Sequence, residues 1–200
     1  MRENTIITIS RQYGSGGREI ASKLAKKLNI RCYDKKVVSI AAEKLGNSHE
    51  EIERIIEDSY QMPILKTIGL YGTLPEYNFI PESNLMYKEQ ATVIRTIAEN
   101  SSAVFLGRCA DAVLSEDKNA YHFFIYADDD FREKRGKIHY DSKTLKELEK
   151  EDKARERYYN YYTGRVWGKP QNYNLMINTS RVGLDEAVEL IIDYIEKVQK

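Results

Sequence analysis

Directly after an apolar run, Thr5 to Ser10, the chain reads Gly14-Ser15-Gly16-Gly17-Arg18-Glu19. A glycine loop between a strand and a helix can wrap its backbone N–H groups around a phosphate, and the helix N-terminus adds partial positive charge. Glycine is needed because such a loop bends tightly and comes close to the anion. A tight strand-to-helix turn without a ligand uses the same residues; the place after the first strand favours the phosphate. A second group is Asp152-Lys153-Ala154-Arg155-Glu156-Arg157. Asp152 and Arg155 stand three apart and share one helix face. On its own that spacing gives an ion pair on a solvated helix, the commonest use of a charge run. Tyr158, Tyr159, Tyr161 and Tyr162 follow. They can stack on a base or close a lid, but such clusters more often pack a helix end or a subunit contact.

The elements that must position these groups alternate. Thr5 to Ser10 reads as a buried strand. Ile20, Ala21, Leu24, Ala25 and Leu28 recur at helical spacing. A short strand follows at Arg31 to Tyr33. Asp34 is a plausible N-cap for a helix to about Leu45, and Ser48 with Glu51 reads as a capping box for another. Tyr60 to Pro81 holds three of the four prolines and two glycines, and reads as irregular. A helix is expected over Ser83 to Asn100, and strands at Val104 to Leu106, Tyr121 to Tyr126 and Leu175 to Ile177. Asp128-Asp129-Asp130 suits a helix start, Glu147 to Tyr162 a long charged helix, and Leu184 to Val198 a C-terminal amphipathic one. Strands alternating with helices argue for an α/β fold in three layers: about five parallel strands with helices on both faces.

Composition narrows the function. The 200 residues suit one domain, able to bury a core without disulfides. Lys plus Arg equals Asp plus Glu at 31 each, which argues against a general nucleic-acid or membrane-surface binder. Cys32 and Cys109 form no disulfide framework, and His49, His122 and His139 lack ligand spacing. No stretch approaches the roughly 18 apolar residues of a membrane span. No signal segment precedes Thr5, so a cytoplasmic location is expected.

From Ile7 to Ala21 the chain resembles the start of a nucleoside-monophosphate kinase, a P-loop protein. That pattern has glycine at Arg11, Gly14 and Gly16, lysine at Gly17, and serine or threonine at Glu19. The variant Ser-Arg-Gln-x-Gly-Ser-Gly-Gly-Arg-Glu is similar to the cytidylate kinase-like family, and the likeness covers nearly the whole chain. It implies one P-loop kinase-like domain over 1–200, an acceptor-binding insert around 34–82 and a lid-like region around 136–160. The Tyr60 to Pro81 segment would form a floor for the acceptor or a homodimer contact.

The resemblance implies ATP with Mg²⁺ as donor and a nucleoside monophosphate, CMP-like, as acceptor. Nucleotide contacts would fall to Gly14, Ser15, Gly16, Gly17, Arg18, Glu19, Arg108, Asp152 and Arg155. Val104 to Asp111 resembles the Gly-Arg-Asp element of cytidylate kinases, so Arg108 would hold the acceptor phosphate, with Cys109 in the aspartate's place. A guanidinium suits that work because it forks onto phosphate oxygens; the other use of such an arginine is to cap a helix or pair with an acid. Arg18, Arg108, Arg155 and Arg157 would carry the charge of phosphoryl transfer, Arg18 or Arg11 standing in for the lysine, and Glu19 would bind the metal. Gly17 and Glu19 also fit a rival reading: a non-catalytic nucleotide-binding or regulatory protein that kept the fold.

Overall fold

The computed structural model describes residues 2–34, 38 and 84–200. The helices expected after Asp34 and Ser48, and the irregular Tyr60 to Pro81 segment, lie outside the described residues. Strand β1 (Ile6–Arg11) is the centre of a five-stranded sheet, and all six of its residues are buried. Its β-branched side chains favour the extended backbone. β2 (Arg31–Tyr33), β3 (Ala103–Leu106), β4 (Ala120–Tyr126) and β5 (Leu175–Asn178) complete the sheet in the order β2-β3-β1-β4-β5, every pair parallel. Ile6 stands opposite Ala103 on one side and Ala120 on the other.

Side chains alternate along β1, and each face finds its own core. Ile7 and Ile9 meet Ile20 and Leu24 of α1 (Gly17–Leu28) and Ile191 and Ile195 of α7 (Leu184–Val198). Ile6 meets Ile94 and Ile97 of α2 (Asn84–Asn100), with Phe105 and Tyr33. Removing a fully enclosed side chain such as Leu24 by substitution with alanine costs about 2–5 kcal/mol. The remaining helices are α3 (Ala110–Val113), α4 (Asp129–His139), α5 (Leu145–Thr163) and α6 (Thr179–Val182). None of the helices among the described residues is long and apolar enough to cross a membrane.

The start of the long charged helix and two one-turn helices depart most from the sequence expectation. The long charged helix begins at Leu145, because Thr144 and Glu147 form a capping box there. Glu147 Oε2 accepts from both the Thr144 N–H and its hydroxyl at 2.8 Å, so Glu147 is the third helical residue. The one-turn helices α3 and α6, which follow β3 and β5, carry no periodicity a sequence reading could detect.

In this order the chain leaves β1 toward β2 on one side and later crosses to β4 on the other. The carboxyl end of β1 is therefore where an open parallel sheet takes its ligands. Arg11 and the glycine loop lie at that point.

Candidate functional site at the carboxyl edge of the sheet

The glycine loop is held by its own residues and by the first residue of α6. The Ser15 hydroxyl donates to the Gln12 carbonyl at 2.8 Å, and the Thr179 hydroxyl donates to the Ser15 carbonyl at 2.7 Å. Gly14 (φ 80°) and Gly16 (φ 82°) take the left-handed backbone that closes the turn. A Cβ on Gly14 would lie 3.0 Å from the Arg132 carbonyl oxygen, and one on Gly16 would overlap Leu184. Gly16 is the N-cap of α1 and no side chain caps that helix end. Gly16, Gly17 and Arg18 at this helix start line the cleft, and a helix N-terminus is a place where anions bind.

Helices α4 and α5 close one side of this cleft around Asp152. The Asp152 carboxylate accepts the Tyr13 backbone N–H at 2.7 Å, pairs with Arg132, and takes Arg155 Nη1 at 3.4 Å. Arg132 Nε also donates to the Tyr13 carbonyl at 2.8 Å, so the N–H and the carbonyl of Tyr13 are both satisfied, one from α5 and one from α4. Arg155 lies 4.7 Å and Lys143 4.9 Å from the centre of the Tyr13 ring, and Tyr140 meets the same ring edge-on. Burial pushes the Asp152 carboxyl up to about 6, against the pull of Arg155 and Arg132.

A second cleft opens on the β3 side. Gly107, Arg108 and Cys109 are consecutive left-handed residues (φ 74°, 55° and 56°), two of them non-glycine, and such strain collects at functional sites. It turns the buried Arg108 guanidinium onto the Gln90 side-chain oxygen and over the Tyr158 ring at 5.1 Å. Asp111 accepts from the Tyr159 hydroxyl at 2.7 Å and the Ser10 hydroxyl at 3.4 Å. Burial raises the Asp111 carboxyl above its ordinary range. Tyr158, Tyr159 and Trp167 wall this cleft, while Tyr162 stacks on Tyr87 and Tyr161 is exposed. The tyrosine run therefore supplies both wall and packing.

The residues expected from sequence divide accordingly. Gly14, Gly16, Gly17 and Arg18 line the first cleft, Arg108 the second, and Arg155 both. Ser15 is enclosed within the loop, and Asp152 braces it from α5. Arg157 is exposed, two residues along α5 from Arg155, and lines neither cleft. Glu19 is ion-paired with Arg135. Among the described residues no three His, Cys, Asp or Glu side chains gather into a metal cage. Magnesium needs no such cage, since phosphate and water oxygens supply most of its ligands; at Glu19 it would compete with Arg135. A sequence reading passes over Arg132 and Arg135 on a charged helix and Lys143 in the loop before α5, because none of them carries a periodic signal. The acidic partners Glu19 and Asp152 were the available hint.

A parallel sheet in this order, with a glycine loop between its central strand and α1, defines the P-loop kinase fold. The chain belongs to the cytidylate kinase-like family, whose model matches residues 6–181. It is similar to the solved structure of an uncharacterized protein from Eubacterium ventriosum, with 29% identity, a TM-score of 0.72 and coverage of 96% of this chain and 98% of that one. A shikimate kinase from Bacteroides thetaiotaomicron shares the fold at 15% identity and a TM-score of 0.51, over 96% of this chain and 98% of that one. A gluconokinase from Sinorhizobium meliloti does so at 11% and 0.53, over 100% and 98%. None of the curated proteins compared with the chain matches it.

Proposed function

We propose that this chain transfers the terminal phosphoryl group of ATP, bound with Mg²⁺ at the glycine loop, to a nucleoside monophosphate, CMP-like, in the second cleft. The observation that carries the reading is that two clefts, one at the glycine loop and one beside Arg108, share Arg11 and Arg155 along their common edge. A phosphoryl group passing between two anionic substrates needs fixed positive charge along its path. In the transfer, the bond from the terminal phosphorus to the bridging oxygen breaks and its electron pair leaves with ADP. A new bond forms from a phosphate oxygen of the acceptor to that phosphorus, and no proton need move. Magnesium would neutralise charge on the donor phosphates. Arg18 and Arg155 would face the donor, Arg108 the acceptor, with the tyrosines and Trp167 enclosing it. The lid would be the region around 136–160, the acceptor insert that around 34–82, and the whole chain one cytoplasmic kinase domain.

The second reading, a nucleotide-binding protein without transfer, draws support from Gly17, which leaves the usual lysine position without a side chain. Calorimetric titration of ATP and CMP, followed by a coupled assay of ADP release over a panel of monophosphates, separates the two. ADP release that depends on one monophosphate supports the kinase. Binding without turnover for every acceptor supports the second reading, and absence of any binding overturns both.

A further inference from the structure

Arg11 ends β1 on the face that carries Ile7 and Ile9, and those two residues pack on α1. Strand alternation therefore turns Arg11 toward the first turn of α1. There its stem occupies the space beside Gly17: a Cβ on Gly17 would lie 2.6 Å from Arg11 Cβ and 2.9 Å from Cγ. Its far end reaches the loop after β3, where a Cβ on Gly107 would overlap Arg11 Nη1. The side chain thus runs between two glycines, from the glycine loop to the second cleft. It is buried, and it lines both clefts.

We propose that the Arg11 guanidinium is the cation that binds the phosphate being transferred, and that Gly17 is glycine because Arg11 fills the room its side chain would need. This rests on the phosphoryl-transfer reading above. Arg155, the other cation shared by the clefts, is rooted in α5 and donates to the Arg11 carbonyl at 3.3 Å, so α5 is held against the end of β1. Arg11 itself approaches from beneath the loop, within the sheet edge, where a planar fork of donors suits phosphate oxygens. The two positions then act as an exchanged pair. A cation rooted at 11 demands glycine at 17, and a cation rooted at 17 demands that 11 be small.

The test uses the full chain and two probes, Mg-ATP and inorganic tripolyphosphate, with calorimetric affinity and melting temperature read on each variant. Arg11→Met keeps most of the stem and removes the charge. It is expected to weaken both probes about tenfold or more, the loss of a charge-assisted contact. Arg11→Lys should retain more affinity than Arg11→Met. Gly17→Lys alone should lower both affinity and melting temperature, and Arg11→Gly with Gly17→Lys should restore both relative to Gly17→Lys. Native affinity in Arg11→Met overturns the role of Arg11 and leaves the kinase reading standing. A double variant that melts no higher than Gly17→Lys overturns the exchange. If the native chain binds neither probe, the phosphoryl-transfer reading falls and the role of Arg11 falls with it. If Arg11→Met does not fold, Arg11→Gln takes its place in the same comparisons.

Discussion

The Asp152 carboxylate accepts the backbone N–H of Tyr13 at 2.7 Å across 139 positions of sequence, so α5 fixes the entry to the glycine loop. The same carboxylate holds Arg132 and Arg155. One side chain therefore couples the loop, α4 and α5.

Asp152→Asn keeps an acceptor for Tyr13 but removes the carboxylate that Arg132 and Arg155 share, while Arg132 keeps Asp129 at 3.3 Å. Burial already favours the uncharged carboxyl, so the neutral amide should move the midpoint in urea little near pH 7 and act on ATP affinity instead.

The pH behaviour of Asp152 has two opposite signs. Its folded value, about 6, lies above the roughly 3.9 of an unfolded aspartate. Its contribution to stability is therefore present at low pH and is lost as pH rises through about 6. Ligand binding should run the other way, since protonation removes the charge that fixes Arg132 and Arg155. ATP affinity should fall as pH drops through about 6, and more shallowly in Asp152→Asn. A native affinity that is flat across that window would count against the coupling.

Arg155 and Arg157, two residues apart, should behave differently. Arg155→Ala removes a buried guanidinium that touches Asp152, the Arg11 carbonyl and the Tyr13 ring, so it should lower both stability and ATP affinity. Arg157→Ala should melt and bind as the native protein, because its side chain is exposed away from both clefts. A loss of ATP affinity in Arg157→Ala, measured by calorimetry, would return that residue to the site.

Arg108→Ala should weaken CMP binding by about 2 kcal/mol. It should also lower the melting temperature, because Arg108 is buried on Gln90 and Tyr158. Arg108→Gly tests the backbone: it suits the left-handed turn at φ 55° and should melt higher than Arg108→Ala while binding equally poorly.

His122 sets an acid limit on the fold. Its Nδ1 lies 2.9 Å from the Thr8 hydroxyl, and burial pushes its imidazole down to about 4. An unfolded histidine takes its proton near 6.5. Stability from this group is therefore intact above about 6.5 and declines as pH falls toward about 4. His122→Gln should flatten the slope of melting temperature against pH in that window.

Much of the framework was legible in the residues themselves. The β-branched run from Ile6 to Ile9, the glycines after it and the helical spacing from Ile20 to Leu28 are local signals, and local backbone preferences read them. So is the resemblance at Arg108 and Asp152, which names candidate residues without saying which way they face. What the tertiary structure decided is who stands beside whom. Nothing in sequence pairs Asp152 with Tyr13, Glu19 with Arg135, or Arg108 with Gln90, because each contact joins elements distant along the chain. Arg11 and Gly17 make the same point at short range. Their spacing of six residues predicts no contact on its own. They meet because β1 turns Arg11 onto the face that α1 covers, and the glycine loop folds the start of α1 back over it, so that one side chain claims the space of two.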